Sequence, residues 1–189
     1  MSERRVASRY SKSLLSLAQE KGLLEEVNSD MELFAATFKN NRDLSIVIKN
    51  PIVPNHKKLS ILKALFDGKV SELTLRFFEI ISRKNRESLL PDIAASFNEQ
   101  YNVFKGIVIA QVVTSFPLDN KLREDFKKVV KHEFGQEKTV LLEEKVDPSL
   151  IGGYTLTVGD KRIDQTLDTQ LKKLKLEFNQ KHKTFVKGI

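Results

Sequence analysis

The hydrophobic pattern of this chain changes period once, near Gly106, and that change does most to limit what the chain can fold into. From Glu3 to about Lys105, apolar residues recur at three- and four-residue steps, the spacing of one helix face, with almost no strand signal. After Gly106 the run "GIVIAQVVTSF" is β-branched and too continuous for an amphipathic helix. A chain of 189 residues is long enough to bury two small cores. The expected class is therefore α+β in two domains. A six-helix bundle over residues 1–105 is followed by a small β-α-β-β-β-α domain over 106–189.

In the first half, Ala7, Tyr10, Leu14, Leu17 and Ala18 mark one face of a first helix, which Gly22 can end in the left-handed conformation. A second helix, from about Leu23 to Lys39, is expected to bury Val27, Met31, Phe34 and Phe38. A short third, around Leu44 to Ile48, stops at "NPIVP", because Pro51 and Pro54 disfavour helix at the residues before them. Asn55 opens a fourth, carrying Leu59, Leu62, Leu65 and Phe66 and closed by Gly68. The fifth reaches from about Ser71 to Lys84. The sixth starts near Ser88, with Pro91 tolerated in its first turn, and carries Phe97, Tyr101 and Phe104.

In the second half, the first strand reads as buried on much of both faces and is ended by Pro117. Asp119 is placed to cap a helix in which Leu122, Phe126, Val129, Val130 and Phe134 repeat, with Gly135 as its stop. "TVLLEEKV", "YTLTV" and "KRI" are three further strands. A last helix, from Gln165 to about His182, is expected to bury Leu167, Leu171, Leu174 and Phe178.

Glycines beside aspartates in "VDPSLIGGYTLTVGDKRIDQTLDTQLKKLK" raise the question of a phosphate loop or a metal site. A phosphate loop leads from a strand straight into a helix, whereas Lys161 here opens a strand. The residues read instead as scaffold. Gly152 and Gly153 permit a bulge or bend, Gly159 and Asp160 make a tight hairpin, and Asp164 caps the last helix. Asp147, Asp160 and Asp164 each have a turn or cap role that accounts for them.

Other chemistry is thinly represented. No cysteine is present, so there is no disulfide, thiolate nucleophile or thiolate zinc site. His56, His132 and His182 lie far apart without histidine neighbours at helical spacing, so no metal or other cofactor is expected. No Ser-His-Asp or Gly-x-Ser-x-Gly pattern occurs. No apolar run approaches the roughly 20 residues that cross a bilayer, and "MSERRVASRY" has neither the apolar core of a secretory signal nor the look of a long presequence. The net charge of +7 is interleaved with acids, as in "KLREDFKKVVKHEF", and reads mainly as solvated helix faces. A basic RNA-binding module is the alternative, and it would bind RNA with steep salt dependence. A small phosphate-using enzyme would need a nucleotide site that these turns do not supply.

The fifth helix stands out. In "SELTLRFFEIISRK", Leu73, Phe77, Ile80 and Ile81 form one stripe while Leu75 and Phe78 stand on another side, an arc wider than one buried face needs. Two explanations are open: a central helix touched by several neighbours, or a groove that receives an amphipathic helix from another chain.

The stretch from Val146 to Lys175 closely resembles the C-terminal signature of the delta subunit of the rotary proton-translocating ATP synthase, the family of the mitochondrial oligomycin sensitivity-conferring protein. "VASRYSKSLLSLAQEKG" is similar to that family's first helix, "KNRESLLPDIAASFNEQYN" to its segment leading into helix six, and "VTSFPLD" to its Val-Thr-Ser…Pro-Leu step. Two departures are local: Tyr10-Ser11 replaces the usual Tyr-Ala, and Asp164-Gln165-Thr166 replaces Asp-Gly-Ser. The resemblance implies a non-catalytic stator role. The helical domain would bind the N-terminal helix of an alpha subunit between helices one and five, and the C-terminal domain would meet the peripheral-stalk b subunit. It also implies a place in a large hetero-oligomer at the cytoplasmic face of a bacterial inner membrane, with membrane association only through the complex and no nucleic acid. Candidate groove residues are Tyr10, Leu14, Phe77, Ile80 and Ile81.

Overall fold

The computed structural model describes residues 3–186, with side chains described through Phe178 except Glu177. The chain divides into two compact units, Met1–Lys105 and Gly106–Ile189. The first contains α1 (Glu3–Glu20), α2 (Leu24–Asn40), α3 (Arg42–Lys49), α4 (Asn55–Phe66), α5 (Glu72–Arg83), a 3-10 turn at Glu87–Leu89, and α6 (Leu90–Lys105).

Its core is built on α2, which buries Val27, Met31, Phe34 and Phe38. The Phe34 ring centre lies 5.8 Å from Phe38, 5.5 Å from Phe66 and 5.3 Å from Phe78. Tilted rings at such distances satisfy both packing and quadrupole. This one side chain thus ties α2 to α4 and α5.

Helix α1 packs along α6, and its buried stripe is Ala7, Ser11, Leu14 and Ala18. Tyr10 and Leu17, expected on the same face, sit at its edge: Tyr10 is half-buried and Leu17 is 42% exposed. The centre of the stripe belongs to a serine, which apolar spacing does not reveal. The Ser11 hydroxyl donates to Ser96 Oγ at 3.0 Å, and Gln100 donates to Ser11 at 2.6 Å, so the buried hydroxyl is satisfied. At the far end of α6, the Tyr101 hydroxyl donates to Glu25 at 2.5 Å, a bond that pushes the phenol up to about 12. Lys105 pairs with the same carboxylate.

Two contacts fix α5. Its first turn is capped by Ser71, whose Oγ accepts from Thr74 N at 3.3 Å. The buried Asp30 of α2 accepts from Ser71 N (2.9 Å), Ser71 Oγ (2.7 Å) and Thr74 Oγ1 (2.7 Å). A carboxylate surrounded by donors at a helix N-terminus is well placed, since charge and dipole agree. The other end closes through Asn85 at φ +56°, with Arg86 N donating back to Ile81 O at 3.1 Å.

The second unit contains β1 (Ile107–Thr114), α7 (Asn120–Phe134), β2 (Thr139–Val146), β3 (Tyr154–Val158), β4 (Lys161–Asp164) and α8 (Leu167–Val186). The strand order is β2-β1-β3-β4, with β1 and β2 parallel across α7 and the other pairs antiparallel. Phe126 and Val130 of α7 pack on Ala110, Val112, Val140, Leu156 and Val158. Asp119 caps α7, accepting from Leu122 N at 2.7 Å.

Two expectations for this unit fail. Strand β1 alternates instead of being buried on both faces: Ala110, Val112 and Thr114 point inward while Ile109 and Gln111 are exposed. Within the unit α7 covers one face of the sheet, and an apolar run does not say how many faces will be covered. The last helix does not bury its stripe either. Leu167, Leu171, Leu174 and Phe178 are 43, 62, 50 and 66% exposed. The helical period is present, but among the described residues the stripe stays exposed, its first member Leu167 lying beside Gly152.

Candidate functional site

Helices α1 and α5 run side by side in opposite directions, since Tyr10 meets Arg86 beyond the end of α5 while Lys21 stands beside Ser71 and Glu72 at its start. Between them lies a cleft of about 320 Å3. Its floor is the buried Leu14, Leu73 and Phe77; its walls include Tyr10, Leu17 and Ile80. Ile80 is 51% exposed, an aliphatic side chain held open to solvent above an apolar floor. An apolar cleft with a few polar groups at its rim is the usual form of a binding site.

Four of the five groove candidates, Tyr10, Leu14, Phe77 and Ile80, come together here. Ile81 does not: it is fully buried in the core. Neighbours on a helix point about 100° apart, so Ile80 can face the cleft only if Ile81 turns from it. The wide arc of α5 thereby divides. Phe78 and Ile81 belong to the core, whereas Leu73, Phe77 and Ile80 face α1. Leu17 and Leu73 were legible as members of stripes. The polar rim, Lys21 and Arg76, carried no signal in hydrophobic spacing.

The Tyr10 hydroxyl accepts from the Arg86 guanidinium at 2.8 Å, and that group lies 5.6 Å from the ring centre. The left-handed turn at Asn85 delivers Arg86 to this place. Ser82 and the buried Glu87 brace the turn with a 2.9 Å hydrogen bond. The larger clefts, about 740 Å3 beside Arg4, Asp92 and Glu99 and about 510 Å3 beside Lys128, Lys131 and His132, are lined chiefly by polar and charged side chains.

The glycine and aspartate positions of the C-terminal stretch form turns. Leu167 N donates to Gly152 O at 3.0 Å, and a Cβ on Gly153, at φ +83°, would stand 2.2 Å from Gln165 O. The Gly-Gly pair therefore serves close approach to the start of α8, and no side chain fits at Gly153. Gly159 and Asp160 connect the paired residues Val158 and Lys161, with Gly159 at φ +56°. Asp164 is not the cap of α8. Thr166 is: its Oγ1 accepts from Thr169 N at 3.4 Å, and Asp164 orients it by accepting from Thr166 N and Oγ1 at 3.0 and 2.8 Å. These bonds, the backbone one first, hold the Asp164 carboxyl below its ordinary range. Among the described residues no three His, Asp or Glu side chains are grouped to hold a metal ion, and the side chain of His182 lies outside them. Nor is any helix among them long and apolar enough to cross a membrane.

Comparison with known proteins agrees along nearly the whole chain. A chain of the cryo-EM structure of the Toxoplasma gondii mitochondrial ATP synthase hexamer superposes with a TM-score of 0.70 at 23% identity, covering 91% of this chain and 96% of that one, which shows the shared fold. The curated ATP synthase subunit delta of Cytophaga hutchinsonii is 39% identical over 180 residues, 95% of this chain and 97% of the relative. That of Amoebophilus asiaticus is 39% identical over 174 residues, 92% and 94% of the two chains. The family model for the ATP synthase delta (OSCP) subunit matches residues 6–178. With two relatives at this identity and a model spanning both units, the chain belongs to the ATP synthase delta (OSCP) subunit family.

Proposed function

We propose that this chain is the stator link of a proton-translocating ATP synthase, holding the alpha/beta catalytic head to the peripheral-stalk b subunit so that proton flow is coupled to ATP synthesis. Membership of its family makes it a structural subunit of the complex and not an enzyme. The observation that carries the link is the apolar cleft between α1 and α5, with Ile80 half-open above Leu14 and Phe77. It fits the apolar face of an amphipathic helix, the part assigned to the N-terminus of an alpha subunit. The uncovered stripe of α8, with Leu167, Leu171, Leu174 and Phe178 at four-, three- and four-residue steps, offers the sheet unit a helical seam for the b subunit. Such a link would stand at the cytoplasmic face of a bacterial inner membrane, held there by its partners.

The test is a titration of the full-length protein with an N-terminal peptide of the cognate alpha subunit. Saturable binding that Ile80→Asp abolishes supports the reading. No saturation, or binding indifferent to Ile80→Asp, would sink it. A parallel titration with single-stranded RNA addresses the rival basic module, whose binding would collapse with added salt.

A further inference from the structure

The cleft between α1 and α5 does not stop where its apolar walls stop. Lys21, Leu73 and Arg76 border both this cleft and a second one of about 330 Å3, which continues past Glu26, Ser71 and Glu72. Two cations, Lys21 just past the end of α1 and Arg76 on α5, therefore stand where an apolar trough passes into a polar one. Arg76 pairs with Glu72 at 2.6 Å, but both side chains are largely exposed. Such surface pairs contribute little and exchange partners readily. Lys21 makes no ion pair among the described residues. Immediately beyond the cations, the wall turns acidic at Glu26 and Glu72.

We propose that Lys21 and Arg76 select a carboxylate on the helix that occupies this groove. The preferred occupant is an amphipathic helix with an apolar stripe, an acidic residue where the stripe ends, and a basic residue about one turn further on. The inference rests on the groove being a docking site and adds the chemistry of its partner. The stripe supplies contact over Leu14, Phe77 and Ile80. The acid fixes how far along the trough the helix lies, because sliding by a turn carries its charge from Lys21 and Arg76 either onto the apolar floor or onto Glu26. When Arg76 turns to the incoming carboxylate, Glu72 is released toward the next turn of the occupant, which favours a base there.

Two synthetic helical peptides test this against the full-length protein. They share one leucine stripe and differ only in a glutamate or a lysine one turn past the last leucine. The glutamate peptide should bind about tenfold more tightly, the scale of one charged contact, with the gap narrowing as salt is added. In Lys21→Glu/Arg76→Glu the preference should invert. Both side chains lie on the surface, so the melting curve should hold, and Arg76→Gln, which should shrink the gap without inverting it, is the second variant. Equal affinities, binding of neither peptide, or a preference that survives the double reversal would each overturn the selection. The alpha N-terminal peptide is run beside them. If it fails while the glutamate preference stands, alpha is the wrong partner and the selection is right. If it binds while the two synthetic peptides are indistinguishable, the selection alone is wrong.

Discussion

Phe34 and Leu171 are both large apolar side chains at helical spacing on amphipathic helices, yet Phe34 is fully buried and Leu171 is 62% exposed. The difference belongs to their units. Helices α1 to α6 surround one core, and two of the polar side chains caught in it are answered, Asp30 by three donors and Ser11 by Ser96 and Gln100, while Asn28 Oδ1 and Asn98 Oδ1 have no partner among the described residues. In the second unit α7 covers one face of a four-stranded sheet, Ile109 and Leu141 face outward, and α8 carries its stripe into solvent. Layers of secondary structure bury what another layer covers. The same sequence device, an apolar stripe, therefore makes a core in one unit and stays exposed in the other.

The largest effect that separates the two is a truncation in the first core. Phe34→Ala removes the ring shared by Phe38, Phe66 and Phe78 and should cost about 3–5 kcal/mol in denaturant unfolding. A loss under 1 kcal/mol would mean that the helical core can collapse around the gap, and the contrast with α8 would weaken.

Next comes Asp30→Ala. It leaves the Ser71 and Thr74 donors at the start of α5 without their carboxylate, and should cost roughly 1–3 kcal/mol. The groove should loosen with it, because the same bonds hold α5 against α2. Unchanged unfolding, with alpha-peptide affinity also unchanged, would show that Ser71 alone sets the helix.

How much of this was legible depends on whether a feature is local. The stripe of α2 was, because spacing alone puts Val27, Met31, Phe34 and Phe38 on one line. So was the cap at Asp119, which needs only the next few residues, whereas the cap of α8 was placed at Asp164 and belongs to Thr166 two residues on. Asp30 was not: its partners lie 41 and 44 residues away, and an acidic residue inside a helix looks like any solvated one. The lining of the cleft was legible at Tyr10, Leu14, Phe77 and Ile80 but not at the buried Ile81, because a wide arc does not say where core ends and cleft begins. The α8 stripe was read correctly as a stripe and wrongly as buried, since periodicity reports a face and not what covers it.

A smaller effect on folding but a clear one on binding is expected in the groove. Tyr10→Ala and Ile80→Ala should weaken the alpha peptide by roughly 1–3 kcal/mol, the scale of an interface anchor. Because Ile80 is half exposed, its truncation should lower stability far less than Phe34→Ala does. For Tyr10 the loss includes the contact with Arg86, so Tyr10→Phe separates ring from hydroxyl. Reduced stability with normal peptide affinity would place both residues in the core and send the search for the groove elsewhere.

The smallest effect on folding should come from the stripe of α8. Leu171 and Leu174 are exposed by half or more, so replacing either with Gln removes little buried surface and stays within about 0.5 kcal/mol, as surface substitutions do. The change keeps a good helix former in place, so helix content should also hold. If the stripe is a seam for the b subunit, the same substitutions should abolish copurification of b while leaving the alpha peptide bound at normal affinity. That pairing of outcomes makes the comparison sharp, because the effect on stability and the effect on recognition would run opposite to those of Phe34→Ala. A clear drop in melting temperature for Leu171→Gln would mean instead that α8 lies against its own sheet in solution. The exposed Ile109 and Leu141 would then be its natural resting place.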